Sequence, residues 1–438
     1  MRRLGPALEV RDFRLWWLAW LGMGLGLNMI QVAIGWEVYA QHRSALDLGW
    51  IGLAEFVPML VLALPAGHLA DRVPRRAIFA TALTISAGVG VGLALVSGAG
   101  VTSVLPYLGL AVASGVAQAL ATPAARAMPP TLVPPPLIAS AMTLRSIAGQ
   151  GSQVVGPALG GLLYGVSATL VYLLAAGWCL LAMVSVLAMR PTPAAAAAGP
   201  HSDESVLEGL RFVRRTPVLL GAILLDLLAV LFGGAVALLP IYARSILRVG
   251  AGGLGILRAA PAVGALIAAA ALTRRPIRGR AGRLLLIVVG VYGASIIVFG
   301  FSRAFWLSLV ALAVGGFVDL YSMNIRSTTV ALASPNRLRG RVNAVEMVFI
   351  SASNELGAFE SGLAASLVGT VPAVVGGGAM TIGLALSWGR LFPQLAAVDR
   401  LDALRPEAQA AAEGPAAGGP AVAGSVDVAA GAGGRVNT

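Results

Sequence analysis

Apolar residues dominate the chain in long runs, at about 15–40, 48–70, 76–98, 101–122, 137–165, 167–190, 218–243, 252–273, 283–302, 304–328, 342–368 and 372–394. A helix rises 1.5 Å per residue, so about 20 such residues cross a hydrocarbon core roughly 30 Å thick, and each run is long enough. The pattern predicts an all-α polytopic membrane protein with twelve transmembrane helices in two sets of six. The rhythm breaks between the sixes, at 191–217, where PTPAAAAAGPHSDESVLEGLRFVRRTP gives a Pro/Ala stretch and then apolar positions at helical spacing. This divides the chain into bundles 1–190 and 218–394, joined by a cytoplasmic linker with a short helix on the inner membrane face. Residues 395–438 are expected to form a cytoplasmic tail. From about 406 small residues leave almost nothing to bury, so ordering entropy wins and disorder is expected.

Composition agrees with that reading and removes others. Hydrophobic residues make up 58% of the chain and charged ones 11%, with a mean hydropathy of +0.84, whereas a soluble domain carries about 25% charged residues. The net charge of +12 rests on 31 basic residues, all of them Arg. They cluster between apolar runs, which fits membrane topology better than nucleic-acid binding. With the amino terminus inside, twenty Arg between runs fall on the inner side and only Arg43, Arg244, Arg248 and Arg303 on the outer. The positive-inside rule therefore puts both termini in the cytoplasm. The basic start MRRLGPALEVRDFRLWW is followed by an apolar run far longer than a signal-peptide core, so it is expected to stay as the first span. The single cysteine, Cys179, lies within an apolar run and builds neither a disulfide nor a metal site. Three scattered histidines and the absence of a G-x-x-x-x-G-K-[ST] loop give no support for an enzyme, an ATP-driven pump, a metal or a cofactor.

Between the second and third runs stands GHLADRVPRRAIF, residues 67–79. Gly67 permits close helix approach, Asp71 can face the positive end of a neighbouring helix, and Arg72, Arg75 and Arg76 can bridge to carbonyls or carboxylates of the adjacent bundle. Such contacts exist in one of two rocking states and so set the equilibrium between them. The plainer alternative is that these arginines only obey the positive-inside rule. Two six-span halves with this loop resemble the major facilitator superfamily, whose signature G-x-L-A-D-R-x-G-R-R/K matches at Gly67, Leu69, Ala70, Asp71, Arg72, Arg75 and Arg76, with Pro74 at the second Gly. In the fifth run, Gly156, Pro157, Gly160 and Gly161 resemble the G-P-x-x-G-G core of exporters in that superfamily, while its two earlier glycines fall on Thr143 and Ser152. The fourth run, LPYLGLAVASGVAQAL, lacks the Arg kept by drug/proton antiporters. The stretches TPAARAMPPTLV, DLYSMNIRSTTV and LRGRVNAVEMVFISASNELGAFESG resemble the branch that contains the enterobactin exporter and related bacterial efflux proteins.

Ionisable groups are expensive in hydrocarbon, so each one within a run is a functional candidate. They are Glu55, Asp226, Asp319, Glu346, Glu355 and Glu360, with Arg145, Arg258 and Arg326 as available partners. Counting from the predicted inner ends places Asp226 roughly 12 Å deep and Glu355 roughly 20 Å deep. Asp226 has no basic neighbour along its own helix and is expected to be unpaired, an ion pair with Arg326, Arg258 or a helix terminus being the alternative. Asp319 and Arg326, two turns apart, share a face, so an ion pair between them is as open as a free Asp319. Glu346 is expected to be structural beside Arg341, and Glu37 hydrated at the outer interface. The resemblance implies that spans one, four, seven and ten line a central cavity, where Asn28, Gln31, Ser114, Gln118, Tyr321 and Asn324 would meet substrate. A carboxyl in such a cavity can load a proton from one side and release it on the other, which makes Asp226, Asp319 and Glu355 the proton-coupling candidates. The expected protein is a monomeric, proton-coupled exporter of a small amphipathic or siderophore-like compound in the bacterial inner membrane, with the bilayer, the substrate and protons as its partners. An importer or facilitator on the same fold, and a non-transporting receptor or scaffold, remain the rivals.

Overall fold

The structure is a computed structural model that describes residues 5–190, 204–275, 277, 279–335, 337–399 and 404, without the side chains of 63, 64, 66–68, 70–72 and 204–207. The Pro/Ala part of the linker and the tail from 406 lie outside the described residues. The long helices are α1 (Arg11–His42), α2 (Ala45–Arg72), α3 (Arg75–Gly98), α4 (Leu105–Ala127), α5 (Ile138–Tyr164) and α6 (Ala168–Leu187), then α7 (Pro217–Phe232), α8 (Gly250–Arg274), α9 (Ala281–Phe301), α10 (Phe305–Ala333), α11 (Arg339–Val368) and α12 (Thr370–Leu391). Each predicted run overlaps one of them, and the run at 218–243 extends well beyond α7. Ten helical stretches are long and apolar enough to cross a membrane, and α5 and α11 are long but less apolar. These two form the main seam between the halves: α5 packs on α8, and α11 packs on α2. Helices facing protein rather than lipid can carry Gly, Ser, Asn and Glu without losing hydrocarbon contact.

One predicted run is not a continuous helix. After α7 the chain breaks at Gly233 and Gly234, then continues through short turns over Ala235–Leu238 and Leu239–Ile241 to a π-helical turn, Tyr242–Ile246. The glycines allow neighbouring backbone to press in: a Cβ on Gly234 would lie 3.1 Å from Gly357 O of α11. The break is covered by polar groups from other helices, with Tyr292 Oη donating to Gly233 O at 3.2 Å. A freed backbone carbonyl in hydrocarbon needs such a partner.

The linker helix, Glu204–Arg215, turns its apolar face onto the carboxyl-terminal bundle, with Val213 buried among Leu219, Ile223, Leu338, Val342 and Val345. Glu208 pairs there with Arg337 at 3.5 Å and more closely with Arg341. Its described apolar positions, Leu210, Phe212 and Val213, are therefore taken up by protein packing.

The bundles keep separate cores at the arginine-rich end. Phe13, Trp16, Phe79 and Leu83 lie in one, and Leu285, Val289, Ile325 and Trp388 in the other. At the arginine-poor end a single apolar core runs through both, with Val32, Tyr39 and Leu48 packed with Leu239, Tyr242, Leu254 and Phe299. The same end carries the polar and aromatic ties between the halves. Tyr39 Oη meets Ser245 Oγ at 3.0 Å, Arg244 lies 5.4 Å over the Trp36 ring, and Trp50 sits edge-on to Phe359 at 5.2 Å. At the arginine-rich end the hydrogen bond that joins the halves among the described residues is a weak one, Arg126 Nη1 to Met347 Sδ at 3.4 Å. Among the described residues the halves are thus tied more closely at the arginine-poor end than at the other.

Each seam crosses where glycine backbones meet. A Cβ on Gly161 of α5 would lie 2.8 Å from Gly255 Cα of α8 and collide with Ala251 O, and one on Gly362 of α11 would lie 3.0 Å from Gly49 Cα of α2. No side-chain rotation relieves a backbone collision, so overpacking here should cost about 1–3 kcal/mol. Gly161→Leu is therefore expected to lower the melting temperature of the detergent-purified protein by at least about 2–4 °C. Gly177→Leu, where a Cβ meets nothing within 4 Å, should leave it unchanged. Equal melting temperatures for the two variants would refute the tight crossing.

Candidate functional site

The intramembrane charges gather into two networks. The first spans both halves. Gly115 of α4 lies so close to α2 that a Cβ on it would collide with Glu55 O, and this approach carries Ser114 and Gln118, one turn apart, onto the Glu55 side chain. Ser114 Oγ donates to Glu55 Oε1 at 2.8 Å, and Gln118 Nε2 donates to the same oxygen. From the other half, Glu355 of α11 points at α2, its Oε2 lying 3.6 Å from where a Cβ on Gly52 would sit. Arg258 of α8 donates through Nη2 to Gln31 Oε1 of α1 at 3.0 Å and interacts electrostatically with both Glu55 and Glu355. Gln31, Glu55 and Ser114 also line a cavity of about 20 Å³ with apolar neighbours such as Ile30, Ile51 and Leu110, room for one water molecule.

The second network belongs to the carboxyl-terminal bundle alone. Asp226 Oδ2 of α7 meets Arg326 Nη1 of α10 at 2.5 Å, and the two are only 7% and 5% exposed. Arg326 Nε also donates to Ser322 Oγ at 3.3 Å. The expectation of an unpaired Asp226 is thus overturned: its partner comes from a helix one hundred residues further on, which inspection of its own helix does not reveal. Asp319 and Glu346 interact electrostatically with this pair, and Asp319 is exposed. Arg326 thus serves Asp226 most directly and Asp319 at longer range. Glu346 faces the same cation rather than Arg341, which Glu208 occupies.

The remaining candidates divide by location. Gln31, Ser114 and Gln118 are brought together around Glu55 and Arg258. Asn28 is turned back onto its own helix, donating to Gly24 O at 2.8 Å, and packs against Gly156, so it is part of a helix crossing. The Tyr321 ring lies tilted against that of Phe317, 5.2 Å between centroids, and Asn324 is exposed further along α10. Glu37 is not hydrated: it is 5% exposed and accepts a hydrogen bond from Tyr172 Oη at 2.6 Å, with Tyr107 and Tyr164 nearby. Those tyrosines sit at the outer ends of spans four, five and six, a signal present in the sequence and not used.

In the loop signature, the side chains of Gly67, Asp71 and Arg72 lie outside the described residues. Arg75 donates to Ala127 O at 3.3 Å, and Arg76 donates to Val186 O at 3.0 Å and to Leu187 O. These are carbonyls at the carboxyl-terminal ends of α4 and α6 in the same bundle, where free carbonyls and the negative end of the helix dipole attract cations. The expected bridge from Arg75 and Arg76 to the adjacent bundle is therefore not made. In the α5 motif, Gly156 and Gly160 receive α1, a Cβ on Gly160 falling 2.9 Å from Met29 Cα. Gly161 meets Gly255, and Pro157 O faces the same residue of α8.

The model of the transmembrane secretion effector family matches residues 4–428. Among curated proteins, the enterobactin exporter EntS of Citrobacter koseri is 27% identical over 383 residues, covering 85% of this chain and 90% of its own length. EntS of Shigella boydii serotype 18 is 27% identical over 339 residues, covering 76% and 80%. Among solved structures, the nucleoside transporter NupG superposes with a TM-score of 0.68 at 12% identity, covering 88% of this chain and 99% of its own. The inward-open xylose transporter XylE of E. coli gives 0.66 at 15% identity, covering 91% and 99%. These likenesses establish the fold of a major facilitator transporter.

Removing the Asp226 carboxylate leaves a guanidinium buried without its counter-charge, which costs about 3–5 kcal/mol in comparable buried pairs. Asp226→Asn alone should therefore reduce folded yield and melting temperature sharply, and Asp226→Asn with Arg326→Met should recover much of both. A single variant as stable as the parent would mean that the pair does not anchor α7 to α10.

Proposed function

Because the chain belongs to the transmembrane secretion effector family, we propose that this bacterial inner-membrane transporter is an exporter, driven by inward proton movement, of a small amphipathic or siderophore-like compound. The observation that carries the reading is the one-ended closure of the halves: a shared apolar core and three ties at the arginine-poor end, against separate cores at the arginine-rich end. With the arginine-rich end in the cytoplasm, the binding region opens toward the compartment from which an exporter loads. Rocking of bundle 1–190 against 218–394 about the α2–α11 and α5–α8 seams then exposes it to the other side. The likeness to enterobactin exporters supports outward movement and a substrate of that class. Buried acid–base networks at mid-membrane support proton coupling, with Asp226, Asp319 and Glu355 as carboxyls in or beside them, and they argue against a receptor or scaffold, which has no use for such charges. The protein is read as a monomer, without cofactor, enzymatic activity or nucleic-acid partner.

Energised everted membrane vesicles containing the protein should accumulate enterobactin, and a protonophore should abolish the accumulation. Accumulation only in right-side-out vesicles would instead assign an importer. In the same assay Asp71→Asn should slow transport about tenfold at equal protein level, the change produced by ~1.4 kcal/mol in the balance between the two states. An unchanged rate would remove Asp71 from the switch.

A further inference from the structure

Two carboxyls and one guanidinium converge at the α2–α8–α11 junction: Glu55 of the amino-terminal half lines one cavity with Gln31, to which Arg258 of the other half donates at 3.0 Å, and Glu355 Oε2 lies 3.6 Å from where a Cβ on Gly52 of α2 would sit. We propose that these three residues form a proton-binding site shared by the halves, occupied by one proton while the halves are closed over it at the arginine-poor end. This deepens the proton-coupled reading above and rests on it.

The argument is one of charge count. With both carboxyls ionised the triad, whose three members are half-buried between helices, carries one uncompensated negative charge, and an unpaired charge largely screened from water is costly enough that a group takes a proton instead. The surrounding helices supply no second cation among the described residues. α4 presents neutral Ser114 and Gln118, α1 presents neutral Gln31, and Asp226, Asp319, Arg326 and Glu346 of α7, α10 and α11 interact with one another. The two carboxyls are not equivalent. Glu55 Oε1 accepts two hydrogen bonds, which favour its anion, whereas Glu355 accepts none from a described residue. The proton therefore resides on Glu355, and Glu55 and Arg258 remain as the opposite charges that attract each other across the halves.

Opening at this level changes the count. Once the halves part, Glu355 keeps Arg258 as a one-to-one pair within its own half, and Glu55 keeps Ser114 and Gln118 with access to water. Neither half then requires the proton. By linkage, protonation favours closure at the arginine-poor end and loss of the proton favours opening. In an exporter this lets the empty protein close after loading a proton from outside. Substrate entering from the cytoplasm then displaces the proton and reopens the outer end. The Asp226–Arg326 network lies within one half, and its count does not change with rocking.

The test uses a distance across the arginine-poor end, between spin labels at Ser103→Cys and Ala304→Cys, both in exposed loops of opposite halves, in full-length protein in nanodiscs. The distance should be short at acid pH and lengthen as pH rises. Glu355→Gln, a neutral isostere of the protonated acid, should keep it short throughout. Arg258→Gln should make the transition steeper, because two carboxyls then need protons. A parent distance independent of pH, or a transition unaltered in Glu355→Gln, would overturn the proposal. Proteoliposomes with an imposed enterobactin gradient and an internal pH dye test the underlying reading separately: a parent protein that opens with pH but moves no protons against enterobactin would keep the triad and discard antiport.

Discussion

A charge inside a membrane protein must be paired, hydrogen-bonded or neutralised, and that constraint organises much of this fold. It explains why helices of otherwise interchangeable apolar composition pack in the order observed. Gly115 lets α4 approach α2 closely enough for Ser114 and Gln118 to reach Glu55, and Gly52 leaves the gap that Glu355 faces. The carboxyl-terminal bundle meets the same demand with Asp226 on α7 and Arg326 on α10. In each case small residues create proximity and polar residues use it. The helices of the seam, α5 and α11, pay for this in hydropathy, and they can do so because protein rather than lipid covers much of their surface.

The apolar contacts impose a different order. Separate cores at the arginine-rich end let each bundle pack largely on itself there, while the shared core at the opposite end holds them in register. Glycine-to-glycine crossings at Gly161–Gly255 and Gly49–Gly362 bring backbones into contact with few side chains to unlock. Such seams suit rigid-body rocking, because motion there does not require a core to be repacked. The linker helix is fastened to one bundle by Val213 and by Glu208 with Arg341.

The architecture was legible in the sequence because its signals are local. Run length gives the helices, the Arg distribution gives a consistent sidedness, and the Pro/Ala stretch marks the division between halves. Gly156, Pro157, Gly160 and Gly161 lie where α5 meets α1 and α8. The site was only half legible, because pairing is a property of helix neighbours that periodicity does not encode. Asp226 looked isolated along α7, yet its partner is Arg326 on α10. Glu37 looked interfacial by position, yet Tyr172 closes over it. Glu55 and Arg258 were visible as costly residues, but nothing along either helix tells that they meet across the two halves. The break after α7 was hidden by uniformly apolar neighbours, although Gly233 and Gly234 were its mark.

The difference between the two networks bears on how an ion gradient can do work on this molecule. The pairing inside one rigid body contributes nearly the same free energy in every state that preserves the body, so it stabilises the bundle and bears on the motion only through changes in the water and ligands around it. A pair divided between bodies is made in one state and broken in the other, and its free energy enters directly into the equilibrium between them. Only the group of Glu55, Gln31, Arg258 and Glu355 is divided in this way at mid-membrane among the described charges. Any ligand that alters the charge there must alter the balance of the two states, and each state must in turn alter the affinity for that ligand. Coupling in this fold therefore depends less on how deeply a carboxyl is buried than on whether its counter-charge moves with it.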